Sequence, residues 1–448
     1  MYTRREALSA IAACSLSTAR AVALPGVFRN PDVAPPAIDG VRLRSRLETL
    51  SLHGRPPGGT FESGVSRVAY SDADLAGRAY VIGLIRGTGL QPRIDPAGNI
   101  FARREGHDRS APPILFGSHI DSVPQGGNFD GDLGSLAAIE VIERLRERGH
   151  VTRHPLEIVV WAHEESTAFA RGLAGSRIVA GDIRPADLTQ TWNGMTREEA
   201  IRRIGGVPER IADAAREKGS FHCYVELHIE QGATLHRQSV PVGIVQGIVA
   251  IDGFDVTITG FANHAGTTPM DQRQDALIAA SQLTLAVREV VTARPGRHVG
   301  TVGHLEVAPN SPNVIPGQVR LSIELRDLSP DTLTALAEAI ATRADQIARD
   351  TRTTIALKPD RHNPPASADM RLQDVVARAA ERRGLASIRL PSGAGHDAQM
   401  MARLCPMGMI FVPSIDGISH SPREKTAWHD CANGATMLLD TVLWLDQH

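Results

Sequence analysis

Aromatic residues make up only 4% of the 448-residue chain, too few for a base-stacking surface. The formal net charge is −2, so no global field draws the chain to nucleic acid or an anionic membrane. No apolar run approaches the roughly 20 residues needed to span a bilayer. There are four cysteines, Cys14, Cys223, Cys405 and Cys431, in no paired spacing. Loss of a leader containing Cys14 leaves an odd number, so a disulfide framework is not expected, and no Cys-x-x-Cys metal site exists. Internal repeats and low-complexity tracts are absent too. What remains is ordinary for a globular enzyme: 42% apolar, 22% charged, and long enough for two domains.

The N-terminus reads as a targeting segment. Arg4-Arg5 precedes a short, mildly apolar stretch, and Ala21-Val22-Ala23 offers a small-residue cleavage signal. This resembles a twin-arginine export signal over residues 1–27, implying a periplasmic protein exported folded. Ile11-Ala12-Ala13-Cys14 gives a weaker lipoprotein variant, and a frayed helix in a cytoplasmic protein is the plain alternative.

Chemistry concentrates in Gly117-Ser118-His119-Ile120-Asp121 and Gly126-Gly127-Asn128-Phe129-Asp130-Gly131. An apolar strand, Pro113 to Phe116, leads in, and a helix, Leu133 to Arg148, leads out. A loop there lies at the carboxyl end of a strand, where α/β sites form. One histidine and two carboxylates in it suit a borderline metal such as zinc. A second buried strand, Leu156 to Ala162, ends in His163-Glu164-Glu165. One of two adjacent glutamates can bind metal while the other serves as general base, although a pair of charges at a helix N-terminus is the simpler reading of this stretch alone. A third strand alternates Glu226, His228 and Glu230 on one face.

From about residue 246 the pattern changes to strand, helix, two strands, helix, strand: Phe254 to Gly260, Ala276 to Ala293, Gly300 to Val307, Gln318 to Asp327, Thr332 to Ala348 and Thr353 to Leu357. That βαββαβ order is ferredoxin-like. The α/β pattern then resumes, with His396 and His420 in Gly/Ser-rich loops. The fold expected is α/β: a mixed-sheet catalytic domain over 28–245 and 361–448, with the ferredoxin-like unit inserted over 246–360.

As a set, Gly-Ser-His119-Ile-Asp121, Asn-Phe-Asp130-Gly, Glu164-Glu165, Glu-Leu-His228-Ile-Glu-Gln231-Gly, His264-Ala-Gly-Thr-Thr-Pro-Met, Pro-Asn313-Val-Ile-Pro, Arg326-Asp, Gly395-His396-Asp397 and Ser-His420-Ser-Pro resemble the co-catalytic zinc hydrolases of the aminoacylase/carboxypeptidase superfamily. The closer likeness is to the hydantoinase/carbamoylase branch: N-carbamoyl-L-amino-acid hydrolases, β-ureidopropionases and allantoate amidohydrolases. It runs from about Val41 to the C-terminus.

The resemblance implies a zinc-peptidase-like catalytic domain and an inserted lid through which a homodimer forms. It implies two divalent ions per subunit, Zn2+ with Mn2+ or Co2+ as alternatives, bridged by Asp130. His119 and Glu165 would complete one site, and His228 and His420 would serve the pair, with the full assignment open. Glu164 would be the general base, and Asp121 would orient His119. His264 would stabilise the oxyanion from the other subunit. Asn313 and Arg326 would hold the substrate carboxylate, with Gln231, Gly395 and His396 lining the rest; Asn313 as a turn cap, Arg326 paired within the lid and His396 as a core residue are the structural alternatives. Histidine at 228, where many peptidase relatives use a carboxylate, points to a small ureido carboxylate as substrate. An allantoate- or ureidoglycine-type acid, a periplasmic aminoacylase or dipeptidase, and a degenerate binding module are the competing readings.

Overall fold

The computed structural model describes residues 37–448, apart from Ala170; the export and lipoprotein signals and Cys14 lie outside the described residues. Four strands whose sequences are almost wholly apolar run parallel at the centre of a nine-stranded sheet, in the order Leu156–Trp161, Ile114–His119, Cys223–Ile229, Met407–Val412. Their largely apolar make-up has a direct cause, because both faces of the sheet are covered. Along Ile114–His119, Ile114 and Phe116 pack into one core and Leu115 into the other. The first core holds the helices Gly40–Leu50, Asp132–Glu147, Met370–Arg382 and Trp428–Leu445. The second holds Trp161, Tyr224 and Phe411 under the shorter helices Ala174–Val179 and Asp397–Met401. Ile100–Arg104 extends the sheet antiparallel at one side and Val242–Ile248 at the other. Cys223, Cys405 and Cys431 are buried and unpaired. No helix among the described residues is long and apolar enough to cross a membrane.

A second, four-stranded antiparallel sheet has its own core. Its order is Val299–Ala308, Gln318–Asp327, Ala250–Thr259, Thr354–Asn363, the strand order of a ferredoxin-like unit. The helices Ala276–Thr292 and Pro330–Thr351 cover one face. Asp275 caps the first by accepting from the amides of Leu277 and Ile278, and Ser329 caps the second, whose first residue is proline. Strand alternation sends Val319, Leu321, Ile323 and Leu325 to the helices and leaves Glu324 and Arg326 on the opposite face. The strands run across the boundaries expected at 245/246 and 360/361: Val242–Ile248 stays in the main sheet, and Thr354–Asn363 stays paired to its end.

Candidate active site

All four central strands deliver a polar group at their carboxyl ends. Ile114–His119 runs three residues beyond the apolar segment, so His119 closes the strand and Asp121 and Asp130 lie in the loop after it. Gly131 is the turn from that loop into the helix, at φ 68°, and a Cβ there would collide with the His119 ring. Glycine is therefore required on both backbone and steric grounds.

Asp130 is the hub. One oxygen lies 3.1 Å from His228 Nε2 and 3.5 Å from His119 Nε2; the other lies 3.4 Å from His420 Nε2. His420 is in turn 3.4 Å from Glu165. Two clusters result, His119–Asp130–His228 and Asp130–Glu165–His420, each with ligand atoms within 4.8 Å of one another. His119 thus groups with His228 rather than with Glu165, because Glu165 leaves its strand end toward the His420 loop. Despite burial, Asp130 is held well below the usual carboxylate range by His228, His119 and His420. Glu165 is pushed up to about 8 by burial and by Asp130. Burial also drives Glu164 well up, against the pull of His119, whose Nε2 is 3.9 Å from it. The ion pairs of Asp130, Glu164 and Glu165 among the described residues run only to histidines. Crowded buried carboxylates with imidazoles and no Arg or Lys partner are a donor set that fits divalent cations.

Asp121 contacts His119 through its backbone rather than its carboxylate. His119 Nδ1 meets its backbone carbonyl at 3.0 Å, which fixes the ring, while its carboxylate is 3.7 Å from that nitrogen. The two carboxylate oxygens accept instead from the amides of Glu164 and Glu165, at 3.1 and 3.2 Å. One residue therefore aligns a ligand of each cluster together with the proposed base.

Gln231, expected to line the substrate space, does so and also donates to Asp130 at 2.7 Å. Gly395, His396 and Arg326 line the same cavity of about 320 Å³, beside Asp130, Glu164, Glu165, His228 and His420. His396 is buried, 2.8 Å from the Ser392 hydroxyl, so it is both a packed core residue and a wall of the cleft. Arg326 pairs with Glu324 and donates to the Gly393 carbonyl at 2.7 Å while lining the cleft. Asn313 and His264 are brought together: the backbones pair at Ala265–Asn313, and the His264 ring accepts from the amides of Gly266 and Thr267. Both are exposed and neither lines this chain's own cleft. Glu230 lies beyond its strand, where it caps the amides of Thr234 and Leu235.

Two buried glutamates support the site in roles that the sequence did not reveal. Glu424 accepts from the amides of Phe129 and Asp130 and from Ser419, whose hydroxyl also reaches Asp130. Buried Glu226 accepts from Ser118, Tyr224 and the Ala398 amide beneath His228. Glu424 lies four residues beyond His420, outside every motif quoted for the site. The alternation Glu226-x-His228 was the one available signal.

Residues 115–444 are matched by peptidase family M20/M25/M40. An N-carbamoyl-L-amino acid amidohydrolase of Geobacillus stearothermophilus is 41% identical, covering 92% of this chain and 99% of its own. A ureidoglycolate hydrolase of Arabidopsis thaliana is 35% identical over 93% and 89%. A solved amidase of the hydantoinase/carbamoylase family from Burkholderia multivorans has a TM-score of 0.85 at 35% identity, covering 92% of this chain and 99% of that one. The chain belongs to peptidase family M20/M25/M40, in its hydantoinase/carbamoylase branch.

Proposed function

We propose that the protein hydrolyses the ureido C–N bond of N-carbamoyl-L-amino acids, using two divalent cations. The observation that carries this reading is Asp130 shared by two ligand clusters, with Glu164 beside them and Arg326 in the same cleft. His119 and His228 would hold one ion, Glu165 and His420 the other, and Asp130 both; zinc suits this donor set, and manganese or cobalt are its competitors. When bound, the cations supply positive charge that polarises the scissile carbonyl and acidifies water.

The residues of the chain do the rest. Glu164 takes a proton from the attacking water on its carboxylate, then returns it to the departing nitrogen. Asp121 holds the Glu164 amide, which fixes the backbone from which that carboxylate projects. The water oxygen joins the ureido carbon, the bond to the amino acid nitrogen breaks, and the carbamate left behind falls apart to ammonia and carbon dioxide. Arg326 and Asn313 hold the substrate carboxylate, and His264 donates to the developing oxyanion. His264 and Asn313 stand outside their own chain's cleft, which supports delivery to the cleft of a second subunit in a lid-paired homodimer.

A screen for ammonia release from N-carbamoyl amino acids, allantoate, ureidoglycolate and dipeptides by purified, metal-loaded protein tests the reading. Release from N-carbamoyl amino acids is expected. Preference for ureidoglycolate or allantoate would move the substrate to the second reading, which the Arabidopsis relative favours, and cleavage of dipeptides alone would overturn both. The twin arginine supports export to the periplasm; replacing Arg4 and Arg5 by lysine should then retain the protein in the cytoplasm, and unchanged periplasmic recovery would refute that role.

A further inference from the structure

The second sheet turns its helix-free face toward the cleft, and register decides which side chains arrive there. Ala250–Thr259 is the middle strand of three. Opposite its Ile251 stand Arg326 on one side and Asn363 on the other; opposite its Gly253 stand Glu324 and Arg361. Residues in one row share a face. Ile251, Arg326, Arg361 and Asn363 all line the cavity that holds Asp130 and Glu164.

The second row works because its middle member has no side chain. Glu324 and Arg361 are two strand spacings apart, roughly 9–10 Å of backbone, yet their side chains form an ion pair. They meet over Gly253, where an added Cβ would sit 3.3 Å from that of Arg361, with the rest of any larger side chain rising between the partners. Glu324 divides its oxygens: Oε1 accepts from Arg326 at 2.7 Å, and Oε2 accepts from Arg361 Nη2. One carboxylate outside the cleft lining thus holds two guanidinium groups that belong to it.

Charge makes the second arginine matter. Arg326 with Glu324 is a neutral pair, offering an incoming carboxylate little net attraction. Arg361 raises the group to one positive charge, which one substrate carboxylate balances. Its side chain is 49% exposed and bonds Glu324 through Nη2 alone, so its other donors are left for a ligand. Arg326, by contrast, is already tied to Glu324 and Gly393.

We infer that Arg361 is a second carboxylate-binding residue, which forms with Arg326 a two-guanidinium clamp held by Glu324 across Gly253. This deepens the proposed function and rests on its claim that the substrate is a ureido acid. The clamp acts on a charge present throughout the reaction, so it governs substrate binding rather than the chemical step.

The test compares N-carbamoyl-L-alanine with N-carbamoyl-L-alaninamide, which lacks the charge. Arg361→Ala should raise KM for the acid by roughly tenfold to a hundredfold, the size of a lost charge-assisted hydrogen bond, with kcat nearly unchanged. KM for the amide should not move. Arg361→Lys, which keeps the charge without the fork, should recover part of the loss. Gly253→Val should act like Arg361→Ala although it removes no charged group. Circular dichroism and metal content serve as the check that each variant is folded and loaded. An unchanged KM for the acid in Arg361→Ala, or equal rises for acid and amide, would overturn the clamp. If the wild type hydrolyses no ureido acid, the proposed reaction fails and the clamp is read by calorimetry with N-acetyl-L-alanine: tighter binding to wild type than to Arg361→Ala upholds it, and equal or absent binding overturns it.

Discussion

At the scale of single residues the site separates groups that hold from groups that react. Glu164 sits beside His119 without being a member of either ligand cluster. Glu164→Gln should therefore keep its metal by elemental analysis and lose about 10²–10⁴-fold in turnover, the usual contribution of a general base. Asp74 gives a residue-level test of stability away from the site. Burial pushes it up to about 6, against the pull of Arg78. Its folded pKa is above the unfolded one, so it favours folding at low pH and that contribution is lost as pH rises through about 6. Measured by urea unfolding against Asp74→Asn, the wild type should lose about 2 kcal/mol of relative stability between about pH 4 and 7. An equal difference at both ends would show that burial does not perturb Asp74. The candidate metal-binding residues drew notice in the sequence because they stand in short polar runs carrying histidine or acid, most of them at a strand end. Asp121's grip on the Glu164 and Glu165 amides did not, since it depends on two strands lying side by side, 43 and 44 residues apart in sequence.

At the scale of elements, the loop from Gly126 to Gly131 is shaped by what cannot be added to it. Gly131→Ala combines an unfavourable φ with a collision against His119, whereas Gly149, at φ 59°, has nothing within 4 Å of an added Cβ. Gly149→Ala should cost only the left-handed penalty, roughly 1–2 kcal/mol. Gly131→Ala should cost more and also reduce bound metal per subunit, as read by thermal unfolding and elemental analysis. Equal losses would mean the His119 ring yields without consequence. Ile114–His119 and Leu156–Trp161 were readable from their apolar runs, Cys223–Ile229 from its alternation, and both helices of the second sheet from their 3.6-residue spacing. The row Glu324–Gly253–Arg361 was not, because the register slips between Pro359 and Arg361, and a one-residue slip moves every later side chain to the other face.

At the scale of the whole molecule, the exposed pair His264 and Asn313 leaves the cleft without its proposed oxyanion donor unless another chain supplies it. Mixing inactive His264→Ala with inactive Glu164→Gln protein should restore activity, since a mixed dimer then has one site with both groups. Subunit exchange shown by mass spectrometry with no return of activity would assign His264 to its own subunit or remove it from catalysis. The division into a main α/β body and a ferredoxin-like unit could be read from the order of patterns along the chain. The way two chains meet could not, because a subunit interface leaves no periodicity of its own.

The strand Met407–Val412 lies inside the sheet, between Cys223–Ile229 and Val242–Ile248, and the loop after it brings His420. On the ribosome, Cys223–Ile229 is therefore made with one edge open and stays so while some 180 further residues are translated, a length set by the chain positions of the two strands. Until then its backbone groups are a template for pairing with the wrong partner, and Glu165 has no His420 opposite it. Completion of the sheet and completion of the second ligand cluster are thus one late event in synthesis. A nascent chain must be kept from aggregating until that event, and only afterwards is the second cluster of candidate metal-binding residues whole.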